Sequence, residues 1–177
     1  MTATTFSAGA ADSADAPCDS SAAPAASGQG ALCVDDLLKL DNQLCFPLYA
    51  CAKEVVRRYT PFLDEFGLTY TQYLVMMVLW EKRSVSVSEL GAALYLDSGT
   101  LTPLLKKMEA KNLLTRTRNE RDERRVDVKL AEAGAALKER AASVPLRMGD
   151  CVNIDPAEGA QLVSLLRKVL TNVRASE

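Results

Sequence analysis

Hydrophobic residues recur every three to four positions along most of the chain, a spacing that predicts amphipathic helices. The first predicted helix spans about residues 34–59 and ends before Pro61. Pro47 lies inside this segment and lacks a backbone N–H donor, so the sequence predicts a kink two residues after Cys45. Cys45 and Tyr49 are four residues apart and therefore share one helical face.

Three further helices are predicted between residues 67 and 112. Gly67 ends a short turn, and Thr69 is placed to cap the helix that carries "YTQYLVMMVLW". Ser86 is placed to cap a shorter helix in "VSELGAAL", and Ser98 is the predicted N-cap of the next helix, "GTLTPLLKKMEAKN".

The period then changes from helical to alternating. The segments "LLTRTR" and "RVDVKL" alternate apolar and polar residues, as half-buried strands do, and the polar "NERDER" between them is typical of a hairpin tip. Two more helices are predicted after the hairpin, and Pro156 fits the first turn of the last one. Closely spaced helices followed by a basic hairpin favour a mainly α fold with a small β-hairpin wing, a winged helix-turn-helix.

The predicted organisation has three parts. Residues 1–33 are rich in Ala, Ser and Pro and are expected to be disordered. Residues 67–131 are expected to form the DNA-binding winged helix-turn-helix. The flanking segments, 34–66 and 132–177, carry apolar stripes that so small a domain cannot bury alone, and they predict a homodimer through the helices at both ends of the chain.

Charge is distributed unevenly along the chain. Residues 98–129 hold nine Lys or Arg against five acids, a net of +4, and the whole chain is −2, which leaves −6 for the remainder. A confined basic surface on an acidic protein indicates a partner with a confined negative face.

Composition excludes several classes of site. The chain has no histidine, which rules out a His-based triad and a mixed Cys/His zinc site. Its five cysteines form no CxxC pair, so we expect neither a zinc cage nor a secreted disulfide framework, and no metal or cofactor. The N-terminal segment is a poor signal peptide, and no apolar run approaches the roughly 18 residues that span a bilayer. We therefore expect a cytoplasmic protein with mostly free thiols and no membrane partner.

The segment "YLDSGTLTPLLKKMEAKNLLTRTRNERDERRVDVKL" resembles the DNA-binding core of the MarR family of bacterial regulators, including its Asp-x-Arg pair at Asp122 and Arg124. Together, "LDNQLCFPLYA" and "LDSGTLTP" resemble the organic hydroperoxide resistance branch of that family. The resemblance covers about residues 34–175. It implies a homodimeric repressor that binds a pseudo-palindromic operator in double-stranded DNA and is induced by organic hydroperoxides.

In that branch a cysteine of the first helix senses peroxide, and tyrosine hydroxyls hold its thiolate. The resemblance assigns the sensor role to Cys45 and the hydrogen bonds to Tyr49, Tyr59 and Tyr70. Some members resolve the oxidised sensor with a second cysteine of the other subunit, and Cys151 fits that role. Others use a small cellular thiol. The alternative interpretation of these side chains is that they pack in a buried core without a chemical role. Cys51 lies on a different helical face from Cys45 and is interpreted as a packing residue.

DNA contacts are expected from the second helix of the helix-turn-helix and from the wing. In the wing Asp122 is expected to orient Arg124 rather than to meet DNA, because phosphate repels a carboxylate. Phosphate contacts give affinity and its salt dependence, and base contacts select the site. The candidates are Ser98, Thr100, Thr102, Lys106, Lys107, Arg118, Arg121, Asp122, Arg124 and Arg125.

Three alternatives remain at this point. A repressor of the same fold released by a small phenolic ligand would not need Cys45. A thiol peroxidase using Cys45 and Cys151 would turn over with a reductant, but it would leave the basic wing without a purpose. A protein-interaction module would lack salt-sensitive DNA binding.

Overall fold

A computed structural model describes residues 34–119, 122 and 125–176. The chain divides into two units, residues 1–42 and residues 43–177. The described part of the first unit holds helix α1 (Val34–Leu38) and a 3-10 turn at Leu40–Asn42, joined by a hydrogen bond from Asn42 Nδ2 to the Asp36 carbonyl. The predicted disordered tail, with Cys18 and Cys33, lies outside the described residues.

The second unit begins with a long helix, α2 (Cys45–Asp64). The predicted single helix over residues 34–59 is therefore wrong, because the regular helix starts only at Cys45. Pro47 lies in its first turn, where the backbone N–H has no partner within the helix, so the predicted kink is also wrong. The helix continues past Pro61 and buries Phe62 and Leu63.

The next three helices include the helix-turn-helix, which consists of the last two. They are α3 (Tyr70–Lys82), α4 (Val87–Leu94) and α5 (Ser98–Ala110). Thr69 and Ser86 cap α3 and α4 through full capping boxes, as predicted. The predicted N-cap of α5 is wrong by one residue: Asp97 accepts the Thr100 N–H, and Ser98 is the first helical residue.

The predicted hairpin is present and belongs to a three-stranded antiparallel sheet. Strands β2 (Leu114–Arg118) and β3 (Val126–Leu130) pair with each other, and β3 also pairs with a short strand, β1 (Ser84–Ser86). The sequence did not predict β1. Val85 opposes Val128 in the sheet, and both side chains are buried.

Three helices follow the wing, where two were predicted: α6 (Glu132–Ala141), α7 (Ser143–Val152) and α8 (Pro156–Ala175). Helix α8 starts at Pro156, as expected, behind an Asp155 capping box. The core packs α3, α5 and the sheet around side chains such as Met76, Leu79 and Leu105. Across the described residues, no helix combines the length and apolar character that crossing a bilayer requires.

Candidate functional site

The outward face of α5 carries most of the predicted recognition residues. Leu101, Leu105 and Met108 anchor the helix in the core and leave its opposite side in solvent. The exposed candidates fall into two groups, the first-turn hydroxyls and the later lysines: Ser98, Thr100, Thr102, Lys106 and Lys107. Thr100 donates its hydroxyl hydrogen to Asp97, and Thr102 to the Ser98 carbonyl at 2.7 Å, so two of these hydroxyls have fixed positions.

A cleft of about 660 Å³ lies between α4, α5 and the wing. Ser98 and Thr102 line it on the α5 side, and Asp122 and Arg125 line it on the wing side. Lys107 is nine residues from Ser98, which places it about half a turn around the helix, and it lines a different groove beside Gly67. The structure therefore brings four of the predicted residues together and separates Lys107 from them.

An ion pair joins the base of the wing to the first turn of α4. Arg125 donates from Nη2 to Glu89 at 3.2 Å and from Nε to Asp127 at 3.1 Å. Hydrogen bonds from the Ser86 backbone and side chain are the first cause that lowers the pKa of Glu89, and the charge of Arg125 adds to it. Arg118 ends β2 in an exposed position. Arg121 and Arg124 lie outside the described residues, so the predicted Asp122–Arg124 pair does as well.

Cys45 is the first residue of α2 and is exposed. The first turn of a helix presents unpaired backbone N–H groups and the positive end of the helix dipole. Tyr49 follows one turn later and is 64% exposed, with the Lys53 ammonium 6.0 Å from its ring centroid. Both side chains of this face are therefore open to a reagent or to another chain.

Tyr59 and Tyr70 form an aromatic cluster with Tyr73. The ring centroids of Tyr59 and Tyr70 are 4.8 Å apart, and those of Tyr59 and Tyr73 are 6.0 Å apart. Burial raises the pKa of Tyr59, which keeps its hydroxyl protonated and able to donate. Tyr59 is fourteen residues from Cys45 on the same helix, or about 21 Å along its axis. The cluster is therefore remote from the Cys45 of its own chain.

Cys151 lies in the last turn of α7, against α2. The Arg58 Nε–H donates to Cys151 Sγ at 3.3 Å. An open cavity of about 660 Å³ beside this contact is lined by Cys51 and Met148 as well. Cys51 is exposed rather than packed, unlike our interpretation from the sequence. Arg58 is about 20 Å along α2 from Cys45, so Cys45 and Cys151 of the same chain lie far apart.

The chain was compared with known proteins. The family model described as "Transcriptional regulator SarA/Rot" matches residues 57–141. The organic hydroperoxide resistance transcriptional regulator of Bacillus subtilis is 46% identical over 136 residues, which cover 77% of this chain and 90% of that protein. The chain belongs to the MarR family of transcriptional regulators, in its organic hydroperoxide resistance branch. This is a family of regulators and not of enzymes, which removes the thiol peroxidase from the alternatives.

Solved structures support the same assignment for this MarR-family chain. Reduced AbfR bound to DNA is 31% identical with a TM-score of 0.66, and the match covers 78% of this chain and 97% of that one. Disulfide-formed AbfR is 30% identical with a TM-score of 0.56, covering 77% and 96%. The winged-helix fold and a DNA-binding role in transcription thus follow from the family.

Two arginines of this regulator were missed from its sequence. Arg116 donates to Glu109 through Nε and Nη2, at 3.0 and 2.7 Å, and joins the wing to the end of α5. These bonds lower the pKa of Glu109. The helical spacing on α2 could have placed Arg58 beside Val55 and Phe62, but no local signal indicates that Cys151, 93 residues away, is its partner.

Proposed function

We propose that the protein is a homodimeric repressor that releases its operator when an organic hydroperoxide oxidises Cys45. The main support for this proposal is the position of Cys45, an exposed thiol in the first turn of α2. The chain that carries it is 46% identical to a hydroperoxide resistance regulator. In the reduced state α5 would enter the major groove and the wing would follow the backbone. Two such heads would read a pseudo-palindromic site.

Exposed apolar faces support the dimer. Helix α8 has twenty residues and none is buried. Its exposed apolar side chains include Leu162, Leu166 and Val173, and Leu44 and Phe46 are exposed at the start of α2. Leu162, Leu166 and Val173 recur at spacings of four and seven residues and so share one face of the helix, and an exposed apolar stripe of this kind marks an interaction site. A second copy of the chain, bringing the same helices, would bury both faces, in agreement with the roles predicted for residues 34–66 and 132–177.

The distances along α2 indicate which hydrogen-bond donors to Cys45 would have to come from the second chain of a dimer. Tyr59 lies about 21 Å along α2 from the Cys45 of its own chain, and Tyr70 packs against it with ring centroids 4.8 Å apart, so hydroxyls that hold the thiolate would come from the second copy. Tyr49 alone is close enough on the same helix. A few charge-assisted hydrogen bonds to sulfur favour the thiolate, which is the form that attacks a peroxide.

The redox step consumes one peroxide per sensor. The Cys45 thiolate attacks the O–O bond, takes one oxygen to form sulfenic acid, and the alcohol leaves after it gains a proton. The Cys151 thiolate of the other chain then attacks the sulfur, the S–O bond breaks, and hydroxide leaves as water after protonation. Joining the two requires Cα atoms within about 7 Å. The movement that brings them together would change the spacing of the DNA-reading heads.

The test measures DNA binding and crosslinking together. A duplex selected from a random library by the reduced full-length protein is followed by fluorescence anisotropy before and after one equivalent of cumene hydroperoxide. We expect wild type to release DNA and to run as a covalent dimer on a non-reducing gel. Cys45→Ser is expected to stay bound, and Cys151→Ser to lose the covalent dimer.

Cys51→Ser is the matched control, because Cys51 is exposed on the same helix and lines the cavity of Cys151. It is expected to behave as wild type. Release of DNA by peroxide from Cys45→Ser would overturn the sensor assignment. The phenolic-ligand alternative would then be tested by asking whether salicylate releases the reduced protein from DNA.

A further inference from the structure

Two threonine hydroxyls near the start of α5 donate their hydrogens within the protein. Thr100 Oγ1 is 2.7 Å from Asp97 Oδ2, and Thr102 Oγ1 is 2.7 Å from the Ser98 carbonyl oxygen. An ionised carboxylate and a carbonyl can only accept a hydrogen bond, so the threonine is the donor in both contacts. Each hydroxyl has a single hydrogen, and therefore only its oxygen lone pairs are left for another molecule.

Asp97 holds Thr100 by both of its carboxylate oxygens. Oδ1 accepts the Thr100 backbone N–H at 2.9 Å, while Oδ2 accepts the hydroxyl. A Cβ on Gly99 would stand 2.9 Å from Asp97 Oδ1, so the glycine leaves the room that the carboxylate needs above the first turn. Hydrogen bonds from the Thr100 hydroxyl and then from its N–H lower the pKa of Asp97, which is therefore ionised at neutral pH. The carboxylate thus fixes the direction of the Thr100 O–H bond.

The direction of these O–H bonds decides which bases the hydroxyls can bind. In helix-turn-helix proteins the N-terminal residues of the recognition helix contact base edges in the major groove, and Thr100 and Thr102 are both exposed there on α5. Adenine and cytosine present an amino group in that groove, whereas guanine and thymine present a keto oxygen. A hydroxyl that can only accept binds an amino group and has no hydrogen to offer a keto oxygen.

We propose that Asp97 sets the base preference of the operator: by accepting the Thr100 hydrogen, it makes Thr100 select adenine or cytosine through the amino group. Asp97 is then a positioning residue that acts through Thr100, and it was not among the DNA-binding residues predicted from the sequence. The inference rests on the proposed function for the entry of α5 into the major groove. It adds the chemical class of base that α5 selects.

Asp97→Asn reverses the hydrogen-bond polarity of Thr100 with almost no change of shape. The Thr100 N–H still requires an oxygen, which turns the amide nitrogen of the asparagine toward Thr100 Oγ1. That nitrogen donates, so the Thr100 hydrogen is released for a keto oxygen of DNA. Asp97→Ser keeps the cap but leaves the Thr100 hydroxyl able to donate or to accept. Asn and Ser cap helices about as well as Asp, so all three proteins should unfold at similar urea concentrations.

The experiment measures base preference with the reduced full-length protein. Each variant selects from duplexes in which the half-site chosen by wild type is randomised, and sequencing gives the enrichment of each base. Thr100→Val removes the hydroxyl at constant shape, and the position where it loses preference is the base that Thr100 contacts. There wild type should favour adenine or cytosine over guanine or thymine by about three- to tenfold, the effect of one hydrogen bond. Asp97→Asn should reverse this ratio, and Asp97→Ser should bring it close to one.

Ratios within one variant cancel the general gain in affinity that follows the loss of a negative charge. Asp155→Asn is the matched control, because it makes the same change at the N-cap of α8, where the carboxylate accepts backbone N–H groups; it should keep the wild-type preference.

Two outcomes would overturn the inference and leave the DNA binding of the proposed function intact. One is a Thr100→Val profile equal to that of wild type, since Thr100 would then contact no base. The other is an Asp97→Asn profile equal to that of Asp97→Ser, since loss of charge would then explain the change. If reduced wild type selects no duplex at all, the proposed function fails and the inference fails with it.

Discussion

Gly134 should be replaceable by alanine only at a large cost in stability. It lies in the first turn of α6, where a Cβ would stand 2.1 Å from the Leu113 carbonyl oxygen and 3.0 Å from Leu130 Cδ1. Ordinary contact begins near 3.4 Å, so the helix and the chain before β2 would have to separate by about 1.3 Å. The obstacle is backbone, which cannot swing aside as a long side chain does.

The required displacement disturbs two existing hydrogen bonds. Leu113 O accepts the Ala131 N–H at 3.1 Å, and Gly134 O accepts the Trp80 Nε1–H at 2.9 Å. Overpacking of this kind costs about 1–3 kcal/mol, and a clash against fixed backbone belongs at the upper end. We expect Gly134→Ala to lower the free energy of unfolding by about 3 kcal/mol and Tm by roughly 6–12 °C for a chain of this size.

Gly149→Ala provides the comparison. Gly149 is helical in α7, and a Cβ there meets no atom within 4 Å. Glycine weakens a helix by up to about 1 kcal/mol relative to alanine, so this variant should be equal to wild type or more stable. Urea unfolding of both variants measures the difference. If Gly134→Ala unfolds at the urea midpoint of Gly149→Ala, the packing argument at the α6–β2 junction is wrong.

Three more expectations follow from the described contacts. Thr69→Ala removes the cap of α3 and should cost about 1 kcal/mol in urea unfolding, whereas Thr69→Ser should cost little. Lys106→Ala should weaken DNA binding and reduce its salt dependence more than Lys107→Ala does, because Lys107 points about 100° away around α5 and lines the groove beside Gly67; equal losses in salt titrations would contradict this difference. The pKa of Glu109 is lower in the folded chain than its unfolded value of about 4.3. Ionised Glu109 therefore stabilises the fold fully at pH values above the unfolded pKa, and this stabilisation is lost as the pH falls through the lower pKa of the folded state. Urea midpoints from pH 7 to 3 should therefore fall less steeply in Glu109→Gln, and an unchanged slope would argue against the Glu109–Arg116 pair.

Local signals in the sequence predicted much of the fold. The caps at Thr69 and Ser86, the two hairpin strands and the start of α8 at Pro156 depend on residues within one or two turns of each other. Strand β1 was missed because three residues carry too little alternation, and its partner is β3, more than forty residues away. The position of Pro47 was misjudged because it depends on where the helix begins, and a helix start without a side-chain cap leaves no mark in the sequence.

The same difference between local signals and contacts of distant segments applies to the thiol site. The sequence, through its resemblance to a known family, singled out Cys45, Tyr59 and Cys151, but it could not show their separation. Only the structure shows that Tyr59 lies far along α2 from Cys45, and that Arg58 contacts Cys151 across 93 residues of chain. Contacts between distant segments of chain depend on how α2 and α7 pack, and no spacing within either helix encodes them.

The length of α2 has a mechanical consequence. Its twenty residues span about 30 Å, with Cys45 at one end and the core residues Phe62 and Leu63 near the other. Pro61 removes one backbone hydrogen bond just before Phe62, and the part of the helix before it behaves as a stiff arm anchored at the buried end. A tilt of roughly 10° about that anchor, about 26 Å from Cys45, displaces the opposite end by about 4.5 Å, most of one helical turn. A small change of angle at the core is therefore amplified where the arm is free.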